Sequence, residues 1–439
     1  MNSAHSSKDA SRRDASAAGQ TLAQKLLSAA SGRDTVQVGE ILNCRVDLAM
    51  FHDSSGPRRL KPMLEELGTG LWDRSKVVLV MDHYVPESDD ESRRIVRIAR
   101  DWARDQALPH VYDSVGICHV VVPENGHIRP GMFCVGGDSH SPTGGAFGAY
   151  MFGVGSTEML GVVASGEIWI KVPQTLMMRW NGQLRPGVTA KDMALHMIGR
   201  FGMSGGRYQA VEFCGEAVRA LSMQERMTLS NMSAELGSQV GLVAPDDLTV
   251  RYLREAGVPE DRIPDVSAWQ SDADAPAEWF DFDAAALAPQ VAAPHSPANA
   301  ADVQDYPGTG IQAAYIGACT GAKLEDLRAA DQVLQGRRVA AGVSLMVAPA
   351  SLQDQQQAER EGVMARLVQS GATVLPTSCG ACSGYGGSIP EGANVISTTA
   401  RNFKGRMGAD TARVFLASPY TVAASALAGR IADPREVLA

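Results

Sequence analysis

The chain has 439 residues, enough for two or three domains, and its 45% hydrophobic and 20% charged residues allow a sizeable core. A net charge of −9 gives no electrostatic case for nucleic acid or an anionic membrane as partner. No stretch reaches the ~18 uninterrupted apolar residues of a membrane span.

Residues 1–20, "MNSAHSSKDASRRDASAAGQ", are small, polar and charged, without the apolar centre of a secretory signal. Arg12 and Arg13 are offset by Asp9 and Asp14, which weakens a transit-peptide reading. A disordered tail is expected before "TLAQKLL". "SKVVLVMDHYVP" reads as a buried strand ending at Asp82 and His83. "DESRRIVRIARDWARDQAL" has helical spacing, with Asp90 as its cap. "HVVVPE" reads as a second strand, and "GMFCVGGDSHSPTGGAFGAYMFGVGSTEMLGVVASG" as strand, Gly-rich loop and small-residue helix. This alternation predicts an α/β fold, in which ligands meet the loops at the carboxyl ends of strands.

Residues 21–257 are expected to form an N-terminal α/β region of two intertwined domains. Residues 258–310, rich in Pro, Ala and Asp, read as a connector. Residues 311–439 form a further α/β region that begins with the strand "QAAYIGA", and "VAAGVSLMVAPA" and "GATVLPTSCGAC" are further strand-to-loop edges. No short repeat of the solenoid type is present.

An odd number of cysteines, seven, in a large chain without a signal suits a reducing compartment, so the cytoplasm is expected. Cys319, Cys379 and Cys382 each follow a predicted strand. Cys-x-x-Cys serves zinc, redox or iron–sulfur chemistry, and zinc would need a fourth ligand that no nearby Cys or His supplies. Three thiolates leave one iron of a cluster open as a Lewis acid. Taken singly, Cys319 is more simply a small buried filler. Gly317, Gly380, Gly384, Gly386 and Gly387 would let backbone approach a bound group closely.

The loops "MDHYVP", "CHVVVPE", "GGDSHSPTGG" and "SNMSAELGS" carry His119, Asn231 and Glu235, and two of them set carboxylate and imidazole side by side, as Asp82–His83 and Asp138–Ser139–His140. Such pairing fixes a tautomer and raises a histidine pKa, as a general acid needs. Asn231 and Glu235 are spaced to share one helical face. Any single pair is more simply a turn cap, but four such loops beside three loop cysteines point to acid–base chemistry. "STTARNFKGRMG" carries Arg401 and Arg406, whose forks suit carboxylates.

Together these stretches resemble the aconitase superfamily, in particular the large subunits of 3-isopropylmalate dehydratase and homoaconitase of the shorter archaeal and bacterial type. "DHYVP", "GDSHS", "GACTG", "TSCGAC" and "RNFKGR" stand where that family has "DHxVP", "GDSHT", "GSCTN", "PGCxxC" and "RNFxGR". The match spans nearly the whole chain after the tail. It implies three aconitase-like α/β domains around an iron–sulfur cluster, with 311–439 as the cluster-binding domain. Cys319, Cys379 and Cys382 would hold a [4Fe–4S] cluster with one open iron. His83, paired with Asp82, would protonate the departing hydroxyl. His119 with Asp138, and His140 with Glu235, would position water and hydroxide near the iron. Ser139 and Asn231 would hydrogen-bond the substrate, and Arg401 and Arg406 would bind its carboxylates.

Three departures stand out. Ala400 replaces the family's Asn before the arginine, Ala318 its Ser before the first cysteine, and Gly321-Ala322 its Asn-Ser. Fewer polar groups there would retune a cluster or suit a less polar substrate. The family's serine base lies on a swivelling domain that has no counterpart before Ala439. A small subunit is therefore the expected partner, in a heterodimer or heterotetramer, closing over the loops at Gly144 and Gly384.

The expected activity is that of a hydro-lyase acting on a hydroxy di- or tricarboxylic acid, 3-isopropylmalate or a close analogue. A 2,3-dimethylmalate or homoaconitate-type dehydratase, or a cluster-free relative, is the alternative. An RNA-binding role is the non-enzymatic rival, and the acidic charge argues against it.

Overall fold

The computed structural model describes residues 19–385, 389 and 391–438. The expected tail, apart from Gly19 and Gln20, and Gly386 and Gly387 lie outside the described residues.

Runs of β-branched and aliphatic residues form the sheets. "VVLVM", Val77–Met81, is fully buried, as a strand covered on both faces of a parallel sheet must be. It pairs in parallel with Leu48–His52 and with His110–Asp113, and Leu48–His52 pairs in parallel with Phe133–Gly136. Tyr150–Gly153 completes this five-stranded sheet. A second parallel sheet of four strands is built on Thr175–Asn181 and Ala210–Cys214.

A third sheet has seven strands. Its parallel part runs Arg413–Ala417, Asn394–Ser397, Ala313–Ile316, Ser344–Val347, Ala372–Val374. The stretch 258–310 supplies Glu278–Asp283 to the second sheet, and Gln290–Ala292 and Ala300–Asp302 to the third.

Four local expectations are corrected. "HVVVPE" is part of a buried helix, Cys118–Glu124, not a strand. A short apolar run carries no decisive period. Here the Asp82 carboxylate accepts the Cys118 N–H at 2.8 Å and fixes the helix start. The cap of the helix Asp90–Asp105 is Asp89, in a capping box with Ser92. Between the strand Phe133–Gly136 and the helix Ser156–Ser165, the Gly-rich stretch folds into a 3₁₀ turn, Ser141–Phe147, and the extra strand Tyr150–Gly153. Finally, the helix Met223–Met232 carries Asn231 but ends before Glu235, which sits in the following turn.

Candidate active site

Three adjacent parallel strands deliver the acid–base residues from their carboxyl ends. Leu48–His52 runs out at His52 and Asp53, Val77–Met81 at Asp82 and His83, and Phe133–Gly136 at Asp138, Ser139 and His140. His83 Nδ1 lies 2.7 Å from Asp82 Oδ1, and His119 Nε2 lies 2.7 Å from Asp138 Oδ1. His140 Nε2 lies 3.0 Å from Glu235 Oε1, whose carboxylate also accepts Arg401 Nε at 2.6 Å. The expected pairs are therefore brought together, and Arg401 joins one of them.

Burial and charge oppose each other here. Burial alone would lower the His83 pKa, but the Asp82 carboxylate and its hydrogen bond push it up to about 9. Burial would raise Asp82 and Asp138. Instead the charge and hydrogen bond of His83 hold Asp82 low, and those of His119 hold Asp138 well below the usual carboxylate range. Glu235 is held low in the same way against burial, by its hydrogen bond with His140 and by Arg401.

A cavity of about 570 Å³ opens on this cluster, lined among others by His83, Asp138, Ser139, Gly384, Arg401 and Arg406. His119, His140, Asn231 and Glu235 are buried behind it. Gly144, expected at its mouth, instead packs against Met151.

The cysteines arrive from the third sheet. Cys319 follows the strand Ala313–Ile316, and the loop after Ala372–Val374 reaches across so that Cys379 N–H donates to the Asp82 carbonyl at 2.9 Å. The Cys379 thiol hydrogen-bonds Cys382 and, with the Arg406 charge, brings Cys382 down to about 5. Burial and then the charge of Cys382 push Cys319 up to about 12. Asn231 Nδ2 donates to Cys319 Sγ at 3.2 Å. All seven cysteines are free, and Cys44, Cys118 and Cys134 are buried fillers of the core.

The donor set fits an iron–sulfur cluster held by thiolates. Three free thiols lie close together, and two side chains that touch them keep a buried atom without a partner among the described residues: Asn231 Oδ1 and Arg406 Nε. The Cys319 turn is close-built. Ala318 takes a left-handed φ of 69°, and a Cβ on Gly321 would collide with Thr398.

Sequence reasoning missed His52, which stacks on His83 with ring centroids 3.8 Å apart. Burial and the neighbouring His83 charge lower it to about 3, so it stands as a neutral ring. It also missed Asp53, whose carboxylate accepts the N–H groups of His83 and Tyr84 at 3.1 and 2.7 Å. The signal was present: "FHDSSGP" sets a His–Asp pair after a buried strand, as "MDHYVP" does.

Thiols beside paired imidazoles and carboxylates, at the ends of parallel strands, are the equipment of an acid–base enzyme, and its relatives make it a hydro-lyase. The chain belongs to the aconitase family, whose model, the Aconitase family (aconitate hydratase), matches residues 24–429. It is 42% identical over 424 residues to 3-isopropylmalate dehydratase large subunit 1 of Methanopyrus kandleri, covering 96% of this chain and 100% of that protein. It is 42% identical over 425 residues to the 3-isopropylmalate dehydratase large subunit of Moorella thermoacetica, again covering 96% and 100%. Among solved structures, Thermococcus kodakaraensis aconitase X (holo-form) is similar at 12% identity and a TM-score of 0.48, over 82% of this chain and 84% of that one.

Proposed function

We propose that this chain is the catalytic large subunit of a [4Fe–4S] hydro-lyase that dehydrates and rehydrates 3-isopropylmalate or a close analogue. The observation that carries this reading is a cavity of about 570 Å³ lined by His83, Asp138, Arg401 and Arg406, with His119 paired to Asp138 and His140 to Glu235 behind it and the free thiols of Cys319, Cys379 and Cys382 close enough to act on one another and on Asp82 and Asp138. The large-subunit names of the relatives support the substrate and a small-subunit partner. Free thiols suit a reducing compartment, and we place the protein in the cytoplasm.

The cluster would be held by Cys319, Cys379 and Cys382, and when bound it supplies a Lewis acid for the leaving hydroxyl. His83, kept protonated near neutrality by Asp82, gives its proton to that hydroxyl from the cavity wall. Asp138 and Glu235 orient His119 and His140. Ser139 lines the cavity and can hydrogen-bond the substrate there, and Asn231 holds Cys319. Arg401 and Arg406 bind substrate carboxylates, where charge builds as the neighbouring C–H loses its proton. The proton acceptor is assigned to a serine of the small subunit. A base must lie within ~3 Å of the proton it takes, so that subunit closes over this cavity.

The test is anaerobic purification, iron and sulfide analysis, and assay with 3-isopropylmalate, 2,3-dimethylmalate and homoaconitate, with and without the small subunit. Four irons with turnover of 3-isopropylmalate only in the two-subunit complex is expected. A chain that turns over substrate with a single bound metal and no sulfide would overturn the cluster in favour of a mononuclear relative.

A further inference from the structure

Lys191 is 1% exposed, at the second position of the helix Ala190–Phe201. The positive end of the helix dipole makes that a poor place for a cation. Its ammonium donates to Thr320 Oγ1 at 3.2 Å and to the carbonyls of Thr398 and Thr399 at 2.9 and 2.8 Å. All three acceptors are neutral. Among the described residues no carboxylate lies within ion-pairing distance of it. Lys323 differs: it is as deeply buried, but Asp326 pairs with it at 2.8 Å.

A buried charge without a counter-charge is costly and does not persist unless something nearby offsets it. Thr320 adjoins Cys319, so the ammonium is anchored one residue away from a thiol of the proposed cluster site. The threonine acceptors also span two loops, the turn that carries Cys319 and the stretch that leads to Arg401.

We propose that Lys191 is a buried counter-cation of the three-thiolate site, and a positioning residue that ties the Cys319–Thr320 turn to the Thr398–Thr399 loop. This rests on the reading above that Cys319, Cys379 and Cys382 hold a cluster. A cluster on thiolates is anionic, and a fixed cation in a low-dielectric interior favours its reduced, more negative state.

The test uses the full-length chain, purified anaerobically, with Lys191→Gln, Lys191→Met and Lys191→Arg. Iron and sulfide are counted, folding is checked by circular dichroism, and the cluster is titrated by redox potentiometry followed by EPR. Gln keeps N–H donors without the charge. Its cluster is expected to retain iron but become roughly tenfold harder to reduce, a midpoint about 59 mV more negative for one electron. Met is expected to shift in the same direction, and Arg to keep the wild-type midpoint. A Gln variant with full iron and an unmoved midpoint would leave Lys191 a purely structural strut and overturn the proposal. If Gln and Met fail to fold, Arg should still fold and hold the cluster, and its failure as well would assign Lys191 to packing alone. A wild-type chain that binds no iron–sulfur cluster fails at the reading beneath and takes this inference with it.

Discussion

At the scale of residues, His83 carries the most testable chemistry. Asp82 raises its pKa to about 9, so the protonated form persists across neutral pH. kcat/KM is therefore expected to be flat on this limb and to fall as pH rises through about 9. Asp82→Asn removes the charge that holds the imidazole up, and the limb should move toward neutrality. An unmoved limb in a pH–rate profile would take His83 out of the acid role. His83→Ala should lower turnover by ~10²–10⁴ with KM largely kept. Cys379→Ser should abolish both the brown absorbance and activity, because a serine hydroxyl is a poor ligand for soft iron–sulfur chemistry. Full iron in that variant would contradict the ligand set. The motifs made these residues legible, since each is a short polar word after an apolar run. His52 and Lys191 were harder. One sits one residue before a strand-end carboxylate, and the other is a plain lysine in a helix whose burial no local pattern announces.

At the scale of elements, the helix Met223–Met232 sets Asn231 against Cys319 and leads into Glu235. Its Arg226 is fully buried and forks onto the Asp246 carboxylate at 2.9 and 2.7 Å. Asp246 also caps the helix Asp247–Glu255 through the N–H groups of Leu248 and Thr249. Asp246→Ala removes that cap and strands a buried guanidinium, so a loss of about 3 kcal/mol in urea denaturation is expected. A change under about 0.5 kcal/mol would mean that water already reaches Arg226. The helix Cys118–Glu124 shows why element type was only partly legible. Its valines favour strands, yet Asp82 and the surrounding core hold them helical.

At the scale of the whole molecule, the core keeps several carboxyl groups protonated. Burial, above all, raises Glu124 to about 8 and Glu212 and Glu225 to about 7. The unfolded chain releases these protons near ~4.3 and that of His83 near ~6.5. Between about pH 6.5 and 8 these four groups thus hold more protons in the folded chain than in the unfolded one, opposed by His52, His127 and Cys382, which folding lowers to about 3, 4 and 5. For each carboxyl, stability falls from the unfolded pKa up to the folded one. The His83 contribution is full below ~6.5 and lost as pH rises through about 9. Glu124→Gln removes the largest of these carboxyl contributions, so between pH about 6.5 and 8 its Tm is expected to fall less, or rise more, than that of the unchanged chain by calorimetry. Identical pH profiles for the two chains would mean that water or ions reach this carboxyl.

The sequence by itself determined the α/β class and most of the chemical inventory. Buried aliphatic runs force strands, and the polar residues just past them must emerge at the sheet edge, where ligands bind. Only the tertiary structure decided which of those edges face one another. The Cys379 N–H reaches the Asp82 carbonyl, Arg401 reaches Glu235, and the ammonium of Lys191 reaches Thr398 and Thr399. Those contacts join residues far apart in the chain, so no local period or motif encodes them. They exist because separate parallel sheets pack with their carboxyl ends close together, and burial there makes each unpaired charge seek a partner.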